Sequence, residues 1–506
     1  MDATCFASTD DTAQAALRVL AGAGFDLGPA APVSRTLLDT FDGRLHAAGL
    51  RLELCRTPTP EVVLWAGGAV AGRARVTGVP RRSGDLAPGP VRTRVRPVTG
   101  TRALLPVLVV AGRARTAVRR DRAGSAKVVV AVTEAVEVDG AGIGPRCLLE
   151  VVARPDHPKA ARRTRDLLDS LGLRRLDGDT LVAAAALAGI GLDGFRSSPT
   201  VPLDPREPAL DAFCRVLANL AVAVDANRHG AVESLDIEFL HDLRVAVRRT
   251  RSVLAEGGRV LPPAGRHAYR AGFGWLGAAT GPARDLDVLL VEWEGYLAAL
   301  TSTETAALEV VRQHLGRRRA AEQPALADAL RSDRCRILLA GWQGWLAAPE
   351  GAPGPDAKRR VATVAAARIG RAQRRLLRRG RAIGPATPAA ELHELRKDAK
   401  RLRYLLECLG ALYPTDPRRA FVRRLKALQD NLGEHQDTEV HEIRLRAVPA
   451  EVGGASPDTA AALDRLVAEL ERRRGAARAA FSRTFAGYDT AATAAALDRL
   501  VRRGRA

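Results

Sequence analysis

Apolar positions keep two different rhythms along this chain, and the change falls near residue 200. Within residues 1–188, apolar and polar positions alternate in short segments. These are LRLELCR (50–56), EVVLWAG (61–67), GRARVTGVP (72–80), PVRTRVRPV (90–98), ARTAVRRD (114–121), AKVVVAVTEAVEVDG (126–140) and RCLLEVVAR (146–154). Period-two alternation marks half-buried strands, and glycine or proline punctuates the segments as turns require. Helical spacing frames them in DDTAQAALRVLAGAG (10–24) and HPKAARRTRDLLDSLGL (157–173). Strands this numerous and close predict an α+β domain over 1–188, an antiparallel sheet or barrel with helices at its ends.

The stretch 189–208, GIGLDGFRSSPTVPLDPREP, is rich in Gly, Pro and Ser and reads as a linker. From 209 to 506 apolar residues recur at the helical period and strand signals vanish, so this half reads as all-α. PEGAPGPDA (349–357) divides it into two repeats, about 209–348 and 358–506, and PAEVGGASPD (449–458) interrupts the second.

One feature recurs in both repeats. HDLRVAVRRTR (241–251) and HELRKDAKRLR (393–403) stand 152 residues apart. At about 100° per residue, His241, Arg244, Arg248 and Arg251 fall within an arc of roughly 80°, with Arg249 on its flank. His393, Arg396, Lys400 and Arg403 align in the same way, with Lys397 inside the arc and Arg401 on the flank. Leu240, Leu243, Val247 and Leu254 form the packing stripe of the first helix, and Leu392, Leu395, Leu402 and Leu406 that of the second. Like charges at these spacings repel and weaken a helix, so stability alone does not account for writing them twice. An anionic ligand would neutralise both rows. The neutral histidine of each row either donates a hydrogen bond to that ligand or caps helix packing.

The repeat extends downstream. TGPARDLDV (280–288) and LGEHQDTEV (432–440) match Gly281 with Gly433, Asp285 with Asp437 and Asp287 with Glu439. Asp285 and Asp437 are read as structural partners that hold arginines of the cationic helices in place. The run RIGRAQRRLLRRGR (368–381) either adds Arg371, Arg374, Arg375 and Arg378 to the ligand face or is a solvated helix surface.

Composition sharpens this picture. Lys and Arg total 78 against 57 Asp and Glu, a formal charge of +21, which favours polyanionic partners, although a base-rich genome also raises arginine content. Hydrophobic residues at 46% argue against wholesale disorder. The six cysteines form no CxxC pair, which fits a reducing compartment without zinc modules or a disulfide framework. The N-terminus MDATCFASTDD lacks the basic and apolar regions of a secretion signal, and no apolar run reaches transmembrane length. The chain reads as cytoplasmic, with no membrane partner. The pattern specifies no oligomeric state.

The histidine-led cationic helix, its duplication, and GPARDLDV and LQDNLGE downstream closely resemble the CHAD domain, the conserved histidine α-helical domain, over about 205–506. HEIR (441–444) shares only the short motif and lies in neither row. The resemblance implies two duplicated four-helix bundles with a basic surface for inorganic polyphosphate. The ligand-facing residues it implies are His241, Arg244, Arg248, Arg251, His393, Arg396, Lys400, Arg401 and Arg403. Nucleic acid is the weaker candidate, because aromatics are only 4% and Tyr404 alone interleaves with the rows.

RTLLDTFDGRLHAAGLRLELCR (35–56) is similar to part of the CYTH domain, the triphosphate tunnel fold. That resemblance implies a metal-dependent triphosphatase, using Mg or Mn, only where an ExExK strand and further carboxylates are present. This chain has no ExExK at its start and only Glu134, Glu137 and Glu150 as later candidates. Basic residues persist in alternating patterns: Arg51, Arg73, Arg75, Arg92, Arg94, Arg96 and Lys127. The expectation is a degenerate domain without catalytic residues or a metal site. Hydrolysis of triphosphate or polyphosphate remains the alternative. Neither GGAVAGRAR nor GAGIGPR continues into a phosphate loop, and GxSxG and HExxH are absent.

Overall fold

A computed structural model of the chain describes residues 4–8, 10–56, 59–143, 147–153, 157–197, 201–451, 454 and 456–503. Outside these lie residues 1–3 of the N-terminus, both ends of the expected strand 146–154, positions 198–200 of the expected linker, and 452, 453 and 455 of the C-terminal break. The chain divides into two compact units, Met1–Arg196 and Ser197–Ala506.

The first unit runs β1 (Thr4–Ser8), α1 (Asp10–Gly22), β2 (Asp26–Leu27), β3 (Ala31–Asp39), α2 (Arg44–Ala47), β4 (Leu50–Cys55), β5 (Glu61–Ala66) and β6 (Ala69–Arg75). It continues with α3 (Pro90–Thr99), β7 (Leu105–Arg120), β8 (Ala126–Val138), β9 (Ala141–Gly142), β10 (Cys147–Ala153), α4 (Pro158–Ser170), β11 (Arg174–Asp177) and α5 (Thr180–Leu187). The strands form one antiparallel sheet in the order β11-β1-β10-β8-β7-β3-β4-β5-β6, with β2 on β7 and β9 on β8. The ladder is an open path ending at β6 and β11. On one face Val128, Val130 and Val132 of β8 pack against Leu17 and Leu20 of α1 and Leu168 of α4. On the other, Cys5 and Ala7 of β1 meet Leu181, Ala183 and Ala184 of α5.

Two expectations need correction here. PVRTRVRPV is the helix α3, not a strand. Pro90 sits at the start of the helix with its φ already set, and Val91, Val95 and Thr99 recur every four residues and are buried. The period two of Arg92, Arg94 and Arg96 coexists with this period, and burial of the valines decides between them. The expected linker 189–208 is also divided. Ile190 and Leu192 join the core beside α5, and Phe195 packs on Phe41 at 5.3 Å between ring centroids. From Ser197 onward the chain belongs to the second unit, where Ser197 Oγ donates to Asp242 at 2.9 Å.

The second unit is helical: α6 (Ala209–Val232), α7 (Ile237–Glu256), α8 (Pro263–Ala279), α9 (Gly281–Leu297), α10 (Ser302–Ala307) and α11 (Glu309–Arg331). Then follow α12 (Asp333–Ala347), α13 (Val361–Arg381), α14 (Ala389–Cys408), α15 (Thr415–Glu451), α16 (Pro457–Tyr488) and α17 (Ala491–Arg503). Helices α13, α14 and α15 each begin 152 residues after α6, α7 and α8. The copies part at Pro282. Proline lacks the N–H of a helix interior, so α8 and α9 are separate, whereas Glu434 at the matching position lets α15 run through unbroken.

The two copies share a core. Leu289, Trp293, Tyr296 and Leu315 of the first pack with Leu445, Leu463, Leu466 and Leu470 of the second. The break at 349–357 therefore does not separate two independent bundles. Among the described residues no helix is long and apolar enough to cross a membrane.

Candidate anion-binding site

Each cationic helix is set by its own apolar stripe. Leu240, Leu243, Val247 and Leu254 of α7 are buried, as are Leu392, Leu395, Leu402 and Leu406 of α14. Asp236 caps α7 by accepting from the N–H groups of Glu238 and Phe239 at 2.8 and 3.2 Å. With these stripes fixed inward, the basic rows lie on the adjoining face, half-buried except for Arg251 and Lys397.

The flanking arginines tie the two helices together. Arg249 Nη2 lies 2.7 Å from Glu407 Oε2, and Arg401 Nε lies 3.7 Å from Glu256 Oε1. Arg249 and Arg401 occupy the same place in the two copies, so the pairing is reciprocal. As residue numbers rise from 249 to 256 on α7, their partners fall from 407 to 401 on α14, so the helices run in opposite directions. Both arginines stand in cross-helix ion pairs, which gives them a structural role.

The rows themselves converge. Arg248 of α7 lies close enough to Lys400 of α14 to disfavour its charge. Burial, then Arg396, Arg248 and Arg403, push the Lys400 ammonium down to about 7 against the pull of Asp437. Burial, then Arg248, with Arg284 and Arg251 behind it, lowers Arg244 to about 10 despite Asp285. Arg244 Nη1 donates to the Gly277 carbonyl at 2.7 Å and Thr280 Oγ1 at 2.9 Å. Arg396 Nη2 donates to both Asp437 oxygens at 3.0 and 3.1 Å. Burial raises Asp285, while Arg244, Arg444, Arg284 and Arg248 pull it down. Asp287 instead pairs with Arg319 of α11 at 2.5 Å.

The Nε atoms of Arg244, Arg248, Arg396 and Arg403 are buried without a hydrogen-bond acceptor. Buried donors in this state cost free energy unless an acceptor reaches them. Arg251 is exposed at the edge of the row, and Arg403 lies 3.4 Å from Glu407.

Other predicted residues go elsewhere. Arg375 and Arg379 both bind the buried Asp398, at 2.8 and 2.7 Å. Arg371, Arg374 and Arg378 are exposed and form no ion pair among the described residues. Lys397 pairs with its own neighbour Glu394 at 2.6 Å.

Two contributors escaped the motif reading, Arg284 and Arg444. Arg284 donates from Nη2 to His241 Nδ1 at 2.9 Å. Gln436 takes the matching place beside His393, at 2.6 Å. The signal was the common offset of 43 residues from each histidine. Arg444 belongs to HEIR, outside both rows, yet it acts on Asp285 because α15 continues past Gly433. Burial, then Arg284, hold His241 below the ordinary imidazole range, against Glu238 and Asp242.

In the first unit the acids are occupied. Arg35 Nη2 lies 2.7 Å from Glu53 Oε2, and Arg51 contacts both Glu53 and Asp179. Glu150 accepts from Thr180 Oγ1 at 2.7 Å, Glu134 pairs with Arg115 at 3.1 Å, and Glu137 is exposed. Arg73 pairs with Glu61 at 2.5 Å. Among the described residues no three His, Cys, Asp or Glu side chains are grouped to hold a metal ion.

Lys400 makes stability depend on pH. Between about pH 7 and its ordinary 10.5, the unfolded chain holds a proton that the folded chain has released, so its contribution to stability rises with pH. The urea midpoint of the full chain is therefore expected to rise more between about pH 7 and about pH 9 than that of a Lys400→Met variant. Equal slopes would show that Lys400 keeps its proton.

Two uncharacterized proteins of Mycobacterium tuberculosis, from the CDC 1551 and H37Rv strains, are each 28% identical over 324 residues. The alignment covers 61% of this chain and 59% of each relative, so this chain spans less than two thirds of their length. A solved CHAD domain from the plant Ricinus communis is 28% identical, covering 60% of this chain and 96% of that one at a TM-score of 0.46. PptA from Streptomyces chartreusis is 22% identical, covering 55% and 99% at a TM-score of 0.42. Residues 215–446 match the family model of the CHAD domain, a stretch that spans both cationic helices.

Proposed function

We propose that this protein binds inorganic polyphosphate, without hydrolysing it, along the face where α7 and α14 meet. The observation that carries the reading is the convergence of two like-charged rows on Arg248 and Lys400, with buried Nε donors of Arg244, Arg248 and Arg396 lacking acceptors. A linear polyanion supplies regularly spaced acceptors to both rows at once. Arg251 and Arg403 extend the face, and exposed Arg371, Arg374 and Arg378 offer phosphate contacts on α13. Nucleic acid is disfavoured because Tyr404 is buried at 4% exposure and offers no stacking platform.

The N-terminal unit is proposed to be a degenerate triphosphate tunnel domain. Its first strand reads Thr-Cys-Phe-Ala-Ser without a carboxylate, and α5 packs against that strand's Cys5 and Ala7. Binding would direct the protein to polyphosphate granules in the cytoplasm. Long-chain polyphosphate is expected to displace the protein from DNA at matched phosphate concentration, read by fluorescence anisotropy of labelled DNA. Tighter binding to DNA would replace this reading. Phosphate release from tripolyphosphate with Mg²⁺ or Mn²⁺ would assign hydrolysis to the chain.

A further inference from the structure

Large apolar side chains stand open to water along one face of α15. Val440 and Ile443 are 37% and 65% exposed, and Ala447, exposed as well, follows one turn later on the same side. Leu286 of α9 and Leu315 of α11 are buried, and with these residues of α15 they line a cavity of about 320 Å³. Exposed apolar residues are ordinary when scattered, but a concave group of them marks a binding site. The wall holds leucine, isoleucine, valine and alanine and, among the described residues, no aromatic ring. It suits an aliphatic chain and gives a base nothing to stack on.

Charge on this wall is uneven. Glu451 lines the cavity, and His314 and Arg318 of α11 hold it at 2.8 and 2.7 Å, so Arg318 is matched. Arg444 lines the same cavity, half-buried, and forms no hydrogen bond or ion pair among the described residues. Asp285 of α9 feels its charge, as it does those of Arg244, Arg284 and Arg248, but no ion pair joins Arg444 to it. A polyphosphate here would give up hydration against apolar side chains, a cost that one guanidinium does not repay. An anion on an apolar chain meets both parts of the wall.

We propose that this groove between α11 and α15 binds a medium-chain aliphatic carboxylate. The chain covers Val440, Ile443 and Ala447, and both carboxylate oxygens accept from the Arg444 guanidinium. The single negative charge answers the single unmatched cation. The site lies outside the two cationic rows, and it stands whether or not those rows hold polyphosphate.

The test is calorimetric titration of the full chain with decanoate, below the concentration at which it forms micelles. Saturable binding at about one decanoate per chain is expected. Affinity is expected to rise about fourfold per methylene from hexanoate to decanoate, and acetate is expected not to compete. Arg444→Ala is expected to weaken decanoate binding about ten- to hundredfold, and decanol is expected to bind the unaltered chain as weakly. Ala447→Trp, at an exposed position, fills the groove without touching Arg444 and is expected to abolish binding. Circular dichroism verifies that both variants are folded. Undiminished decanoate binding by either folded variant, affinity independent of chain length, or no binding of decanoate at all overturns the proposal. Tighter binding of decyl phosphate than of decanoate overturns the carboxylate class and assigns the groove to a phosphate head group.

Discussion

A chain carrying Arg244→Ala, Arg248→Ala, Arg396→Ala and Lys400→Ala together is expected to bind long-chain polyphosphate at least about ten-thousandfold more weakly near 0.15 M salt. Each charge-assisted hydrogen bond to phosphate is worth about 1.5–3 kcal/mol, and Lys400, only partly charged in the free protein, stands at the low end. The dependence of log affinity on log salt is expected to flatten by about 3, since each phosphate contact contributes roughly 0.7–0.9 to the slope. Far-UV circular dichroism is expected to stay the same, because the buried leucines, not the rows, seat both helices. The loss of Arg396 from Asp437 and of Arg244 from Thr280 removes two tertiary contacts, so helicity is measured before affinity. A loss below tenfold with an unchanged salt slope would exclude these rows as the phosphate grip.

Trp293→Ala is expected to destabilise the whole helical unit by about 3–5 kcal/mol, the usual cost of emptying a large buried aromatic site. Trp293 is 1% exposed and packs among residues from both sides of the 349–357 break. Hydrogen exchange is the discriminating measurement. Protection is expected to fall together in α9 and α11 of the first copy and in the second half of α15 and α16 of the second. Loss confined to α9 and α11 would mean that the copies are stable separately. The shared core also bears on binding, since it holds the acids of α9 and α15 in fixed relation to the cationic helices.

The local periods were legible wherever one period stood alone. Val128, Val130 and Val132 alternate strictly and form a strand, and Leu240, Leu243 and Val247 repeat at helical spacing and form a helix. Where two periods overlapped, as in PVRTRVRPV, the charged residues were conspicuous but the buried valines set the structure. The nine-residue strand β3 shows no alternation along its length, because only its second half is buried.

The sequence by itself determined the change from sheet to helix near residue 200, the 152-residue spacing and which face of each cationic helix carries charge. All three follow from spacing along the chain, and a helix or strand converts spacing directly into direction. Only the tertiary structure decided which cations stand free and which are matched. It set Arg249, Arg375 and Arg401 against Glu407, Asp398 and Glu256, joined Arg284 and Arg444 to the rows, and brought Lys400 up to Arg248. A side chain's charge state and partner depend on groups far away in the chain, and these meet it only when helices cross.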